Sequence, residues 1–125
     1  GKARRLSEMT MAEGFPVEGV ALTFLLVISD LHESVRFYRD VLGAELYREY
    51  GGTSAVFQFQ GSWLLLVTGG PPTEGKPGVT FVPPADPSRV DHQLTMRVPD
   101  CWGAYETLRA RGAEFLTQRR PRANE

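Results

Sequence analysis

Residues 26–30 read Leu-Val-Ile-Ser-Asp and lead into a helical pattern that stops at a Gly-Ala-Glu triplet, residues 43–45. Residues 96–100, Met-Arg-Val-Pro-Asp, lead into a second helical pattern that stops at the same triplet, residues 112–114. The two Asp residues are 70 positions apart and the two triplets are 69 apart, so the copies are almost in register. Both copies read strand, Asp cap, helix, Gly stop and strand. The chain is therefore predicted to be a duplication of one structural unit.

The first copy has the pattern of a strand, a helix and three further strands. Val20 to Ile28 is rich in β-branched and large apolar residues, as in a strand that is covered on both faces. Asp30 and Glu33 form a capping-box signature, and Gly43 supplies a left-handed helix stop. The helix between them carries one apolar stripe, so it should pack on a sheet. The stripe consists of Leu31, Val35, Tyr38 and Leu42, and the later strands are expected at 44–50, 54–60 and 63–68.

A proline-rich stretch separates the two copies. Six of the nine prolines fall within residues 69–90, so most of this segment is predicted to be an extended linker, with Val79 to Val82 as a candidate short edge strand. Gln93 to Val98 alternates apolar and polar side chains and predicts a strand. Asp100 should cap the second helix, and residues 114–117 should form another strand.

Composition sets limits on the class of protein. A chain of 125 residues suits one domain that buries about two thirds of its unfolded surface. Lysine and arginine total 14 against 15 acids, so no strong field favours nucleic acid or a membrane surface. Residues 1–16 are interpreted as a leader or cloning remnant, without a secretion signal. The single cysteine, Cys101, suits a reducing cytoplasm and is expected on the buried stripe of the second helix. A cytoplasmic protein is expected.

Two stretches carry a resemblance to a known family: residues 27–43, VISDLHESVRFYRDVLG, and residues 98–112, VPDCWGAYETLRARG. They resemble the vicinal oxygen chelate superfamily, which includes glyoxalase I, extradiol dioxygenases, fosfomycin-modifying enzymes and bleomycin-resistance proteins. The resemblance implies an α+β fold, in which paired βαβββ modules form a cupped, mostly antiparallel half-barrel. Within a single domain, 17–125, module one would be 17–68, the linker 69–90 and module two 91–125.

The resemblance also implies that the concave side holds a divalent metal ion or a small ligand. The implied ligand position of the first module falls on Thr23, which is a poor metal ligand. In the second module it falls on Gln93, an acceptable oxygen donor. His92 is a candidate metal ligand, but it lies one residue away, and a one-residue offset turns a side chain to the other face of a strand. The strand 63–68 contains no carboxylate that could join it, which leaves Glu45 or Glu49 on a different strand as substitutes.

The second module is expected to be incomplete. A full module would add two strands after Thr117, and the last of them would normally carry a metal-binding Glu. Here residues 118–125 read QRRPRANE and the sequence stops. Truncation, missing residues, or closure of the sheet by another chain are the alternatives. Because unpaired strand edges favour association, a homodimer is expected.

Two functional classes remain open, together with an inactive remnant. The first is a binding protein of the bleomycin-resistance type, in which an aromatic and polar cup holds a small molecule. The second is a lyase or dioxygenase of the glyoxalase type, in which a divalent metal ion polarises substrate oxygens and His92 is the tentative ligand. The candidate ligand-binding residues are Thr23, Phe57, Trp63, Gln93, Thr95 and Arg97. The alternative for the aromatic cluster around Phe57 and Trp63 is simple core packing.

Overall fold

The computed structural model describes residues 14–90 and 93–116. The strands and helices are β1 (Thr23–Ile28), α1 (Leu31–Arg36) with a π-helical continuation (Phe37–Val41), β2 (Glu45–Tyr50), β3 (Ser54–Phe59), β4 (Ser62–Thr68) and α2 (Cys101–Ala110). The elements up to β4 occur in the order predicted for the first copy, and α2 belongs to the second copy. Within the described ranges, neither helix is long and apolar enough to cross a bilayer.

One four-stranded sheet has the strand order β1-β4-β3-β2. β1 runs parallel to β4, and the long connection that a parallel pair requires consists of α1, its π-helical continuation, β2 and β3. The pairs β3/β4 and β2/β3 are antiparallel and are joined by short turns. The α+β class and the βαβββ order of the first module are therefore confirmed.

The core lies between α1 and one face of the sheet. Leu31 and Val35 of α1 are buried, as the apolar stripe predicts, and Tyr38 packs beside them. They cover a set of apolar strand residues that share this face by register. The fully or almost fully buried members of that set are Ala55, Phe57, Leu64 and Leu66.

The ends of the first helix are built by local hydrogen bonds. The side chain of Asp30 accepts a bond from the Glu33 backbone N–H at 3.0 Å, which confirms the predicted cap. At the other end, the Leu42 N–H bonds to the Phe37 carbonyl at 3.1 Å, so the last turn is π-helical, which the sequence did not predict. Gly43 then adopts a φ of +82° and ends the helix as expected.

The linker is held by Lys76. Its ammonium group donates to the carbonyl oxygens of Pro71 at 2.7 Å and Val79 at 3.0 Å, and it lies 4.6 Å from the centre of the Phe81 ring. Phe81 also forms one isolated antiparallel bridge with Gly70. The expected edge strand at 79–82 is therefore reduced to this single bridge.

The second copy differs most from expectation. Its helix is confirmed, because Asp100 caps α2 through the Gly103 N–H at 2.9 Å. The strand predicted over 93–98 is wrong, since these residues are exposed and pair with no strand in the described part of the chain. The residues of 114–117 that are described also form no strand. Cys101 is exposed and does not contribute to a core, contrary to prediction.

Candidate functional site

The side of the sheet that faces away from α1 is the candidate functional surface, and we call it the open face. Side chains alternate between the two faces of each strand, so the neighbours of the core positions point to this side. The register aligns them in three rows. From β1 to β2, the first row is Thr23, Trp63, Gln58 and Glu45; the middle row is Leu25, Leu65, Val56 and Arg48; the third row is Val27, Val67, Ser54 and Tyr50.

The middle and third rows give the open face an apolar centre. Leu25 keeps 40% of its surface exposed, and Leu65 and Val56 are half-buried. Val27 and Val67 extend the apolar surface into the third row, where they are also half-buried. Contiguous apolar surface that remains partly exposed is typical of a binding surface.

The first row supplies hydrogen-bonding groups at one end of this apolar centre. Thr23 and Gln58 are exposed, and they pair with Trp63 from its two sides in the register. Glu45 closes the row on β2. A hydroxyl, an amide and a carboxylate therefore lie along one line beside the apolar surface, where they can orient a ligand.

Tyr47 reaches the open face because of an irregularity in β2. The register shifts between Leu46 and Arg48, as in a β-bulge, and bulges re-aim side chains. The Tyr47 ring meets the Trp63 ring edge-on, with 5.3 Å between the centroids and an interplanar angle of 87°. The contact between these two rings therefore connects β2 and β4 across the intervening strand β3.

Arg48 and Tyr50 extend the aromatic surface along β2. The Arg48 guanidinium carbon lies 5.8 Å from the ring centre of Tyr47 and 5.8 Å from that of Tyr50. Both distances are within the range of cation–π attraction. Trp63, Tyr47, Arg48 and Tyr50 thus form a continuous group, which we call the arginine-aromatic cluster.

Two of the predicted ligand-binding residues, Thr23 and Trp63, come together on the open face as directly paired residues. Phe57 is 0% exposed and lies under α1 on the opposite face, so it is removed from the candidate set. The core alternative therefore applies to Phe57, whereas Trp63 lies on the open face and its role in ligand binding stays a prediction. The reason is the register, which pairs Phe57 with Leu64 rather than with Trp63.

The remaining predicted residues are not brought to the open face by any described contact. Gln93, Thr95 and Arg97 are exposed in a segment that has no strand partner within the described residues. His92, the candidate metal ligand, lies outside the described residues. The roles of these four residues stay predictions.

Sequence reasoning missed Tyr47, Arg48 and Gln58. The signal was partly present, because Arg48 and Tyr50 alternate on a predicted strand and share a face. Tyr47 would have been assigned to the other face, since the bulge that turns it is not visible in the sequence. Gln58 could have been found only with the β3/β4 register, which places it beside Trp63.

The described residues do not fit a divalent metal site. Within 14–90 and 93–116, no three His, Cys, Asp or Glu side chains lie close enough together to hold a metal ion. Thr23 and Glu45 stand at opposite edges of the first row, about 14 Å apart at the usual spacing of strands. Glu45 therefore cannot share an ion with the implied position at Thr23.

Comparison with known proteins agrees with the geometry. The family model described as the Glyoxalase/Bleomycin resistance protein/Dioxygenase superfamily matches residues 21–125. A crystal structure of a glyoxalase/bleomycin resistance protein/dioxygenase from Nocardioides is similar, with a TM-score of 0.60 and 27% identity over 88% of this chain and 73% of that one.

Fosfomycin resistance proteins are also similar. A mutant of FosX from Listeria monocytogenes, crystallised with Mn(II) and 1S,2S-dihydroxypropylphosphonic acid, gives a TM-score of 0.56 at 19% identity, covering 86% of this chain and 75% of that one. The metallothiol transferase FosB of Staphylococcus epidermidis is 49% identical over 39 residues, which are 31% of this chain and 27% of the transferase. The structural likeness to FosX supports the fold alone.

The family match extends over both copies of the sequence motif, and the observed βαβββ order agrees with it. The chain belongs to the Glyoxalase/Bleomycin resistance protein/Dioxygenase superfamily.

Proposed function

We propose that this chain binds a small molecule on the open face of its sheet. The observation that carries the proposal is the partly exposed apolar centre, Leu25, Leu65 and Val56, bordered by polar groups on one side and by aromatic rings on another. Ligand sites combine mostly apolar walls with a few polar groups that fix orientation. The predicted residues Thr23 and Trp63 belong to this surface.

Thr23 and Gln58 are suited to orient a polar group of the ligand. The Thr23 hydroxyl can donate or accept, and the Gln58 amide can do both. They flank Trp63 in the same row, so a ligand that lies against the indole can reach either group. The apolar part of the ligand then covers Leu25 and Leu65.

A fragment library screened by ligand-observed NMR tests the proposal. Leu65→Arg places a long charged side chain in the middle row and should abolish the signals of bound fragments. Val82→Arg is the matched control, because Val82 is 70% exposed in the linker and away from the open face. Fragments that bind equally well to the wild type and to Leu65→Arg would contradict the proposal. Unchanged melting temperatures of both variants ensure that binding, not folding, is compared.

The homodimer is part of the same proposal, and β1 is the edge at which we expect association. No charged side chain occurs in β1, whereas β2 at the other edge carries Glu45, Arg48 and Glu49. Charges and bulges protect an edge strand from pairing with another chain, and β2 has both. A second copy would extend the sheet at β1.

Sedimentation velocity over a range of concentrations tests this arrangement. Phe24→Lys at the β1 edge should shift the protein toward the monomer, whereas Glu49→Lys at the β2 edge should not. A wild type that sediments as a monomer at every concentration would contradict the dimer. Equal effects of the two substitutions would contradict the assignment to β1.

A metal-dependent enzyme is the second candidate. The observation that favours it is the 49% identity with a metallothiol transferase over 39 residues. A divalent ion in such a site would polarise substrate oxygens. The described residues alone do not assemble a metal cluster, so such a site would have to include His92 or another group outside the described ranges.

Metal content of protein purified without a histidine tag separates the two candidates. Divalent ions are added back, and His92→Ala is compared with His32→Ala, a control at an exposed histidine of α1. Near-stoichiometric metal that only His92→Ala abolishes would support the enzyme. Absence of bound metal under every loading would leave the binding function and end the metal-dependent candidate.

A further inference from the structure

The arginine-aromatic cluster contains two tyrosines of β2 whose rings are exposed. Tyr47 is 60% exposed and Tyr50 is 46% exposed, although both rings are large enough to contribute substantially to a core. Both face the same side as Trp63 and the apolar centre of the open face. Exposed tyrosine and tryptophan rings are enriched at binding surfaces because they offer rigid contact area.

Arg48 is the charged member of the cluster. Its guanidinium lies over two rings but makes no ion pair or hydrogen bond with any residue in the described part of the chain. Arg39, in contrast, has an acidic partner, because its Nε lies 2.9 Å from an oxygen of Asp40. The donors of Arg48 are therefore available for a group that comes from outside these residues.

We infer that the arginine-aromatic cluster selects planar, anionic ligands, namely aromatic or conjugated carboxylates. This inference rests on the proposed binding function of the open face and names its ligand class. The plane of the ligand stacks in the region of Trp63 and Tyr47, and its carboxylate reaches the Arg48 guanidinium. No covalent step is involved.

Two features of the cluster select for this class. Stacking on an aromatic ring favours a flat partner over a saturated one, because offset rings gain contact that a puckered ring cannot make. The guanidinium presents a planar fork of donors that matches a carboxylate in a bidentate arrangement. The rings beneath Arg48 hold the fork in place, so less freedom is lost when the anion binds.

The charge pattern of the row that contains Arg48 agrees with an anion at this position. The other members of the middle row are Leu25, Leu65 and Val56, so no carboxylate competes for Arg48 within the row. Glu45 lies at the end of the first row, on the far side of Tyr47 along β2. Its carboxylate repels an anion that approaches the row of Thr23 and Gln58. The carboxylate of the ligand therefore binds more favourably when it points toward Arg48.

Three matched probes test the ligand class by fluorine NMR titration of the full chain. They are para-trifluoromethylbenzoate, which is planar and anionic; its amide, which is planar and neutral; and the saturated cyclohexane analogue, which is anionic and puckered. We expect the benzoate to bind about fivefold more tightly than the amide, the magnitude of an exposed charge pair, and the preference should shrink as salt is added. The cyclohexane analogue should bind more weakly than the benzoate.

Substitutions assign the preference to the cluster. Arg48→Gln should remove the difference between benzoate and amide while leaving amide binding unchanged. Arg36→Gln is the matched control, since Arg36 is exposed on α1 at the other side of the sheet. Tyr47→Leu removes one of the rings on which the ligand plane stacks, so it should weaken both planar probes. Arg48→Lys should retain only part of the preference, because an ammonium keeps the charge but lacks the planar fork.

Equal binding of benzoate and amide, or a preference that survives Arg48→Gln, would overturn the inference. A cyclohexane analogue that binds as tightly as the benzoate would overturn it as well, since stacking would then play no part. Absence of binding by all three probes also overturns it. The proposed function is tested separately by the broad fragment library. It fails only if no fragment of that library binds the wild type in a way that Leu65→Arg abolishes.

Discussion

Arg111 donates a hydrogen bond from its guanidinium Nη1 to the backbone carbonyl oxygen of Val41, 3.0 Å away and 70 positions earlier in the chain. Val41 is the last residue of the π-helical turn, so its carbonyl has no partner within that helix. Arg111 caps α2 at its C-terminal end. The bond therefore connects corresponding ends of the helices in the two copies of the motif.

Removal of this bond should loosen α2 from the first module. For Arg111→Ala, we expect faster hydrogen exchange of the α2 amides, equivalent to about 1 kcal/mol, because one charge-assisted bond is lost at an exposed position. Arg109→Ala is the control, since Arg109 lies on the same helix and makes no described contact with Val41. Equal exchange rates in the two variants would show that the bond does not hold α2.

Phe57 is buried in the core between α1 and the sheet, on the face opposite the open face. We expect Phe57→Ala to lower the free energy of unfolding by about 3–5 kcal/mol, because a fully buried ring is replaced by a cavity. Val82→Ala, at an exposed position of the linker, should change it by less than about 0.5 kcal/mol. Chemical denaturation measures both. A loss of stability below about 1 kcal/mol for Phe57→Ala would contradict the assignment of Phe57 to the core.

The turn between β3 and β4 contains a residue that is poorly suited to its conformation. Gln60 has a φ of +51° and precedes Gly61 at +79°, the backbone of a two-residue hairpin turn that favours Asn-Gly. Gln60→Asn should therefore raise the free energy of unfolding by about 0.5–1 kcal/mol, as read from the denaturation midpoint. Gln60→Val should lower it, since a β-branched residue tolerates this φ poorly.

Tyr38 should make stability depend on alkaline pH. Burial beside α1 raises the pKa of the Tyr38 hydroxyl above its ordinary 10.0, because the phenolate loses hydration. Below the unfolded pKa the tyrosine is neutral in both states, and above it the unfolded chain releases the proton more readily. The free energy of unfolding should thus fall as pH rises beyond about 10. Tyr38→Phe should reduce this fall in equilibrium denaturation measured across the same pH range.

The sequence predicted the first module well because its signals are local. Asp30 and Gly43 act within one turn of the helix, and the apolar stripe lies within a single helix. The cap, the stop and the packing of Leu31, Val35 and Tyr38 are all observed. The strand predicted at 93–98 shows the limit of such reasoning. Alternation makes a segment suitable for a sheet, but a strand forms only with a partner, and no partner is found within the described residues.

The candidate site was predicted only in part, since both faces of β3 and β4 carry apolar residues. Phe57 and Trp63 have similar character in the sequence, but the register sends them to opposite faces. Tyr47 reaches the open face only because of a bulge, and Arg48 is placed over the rings of Tyr47 and Tyr50. These relationships arise from tertiary structure, so periodicity could not reveal them.

Methyl NMR of selectively labelled protein reports which face of the sheet contacts the ligand, and it therefore tests binding at the open face. Titration with a fragment from the library should shift the methyl signals of Leu25, Leu65 and Val67 on the open face. The methyl signals of Val35, Leu64 and Leu66 in the core should move far less. Shifts confined to the core, or spread over exposed sites such as Val82, would contradict binding at the open face.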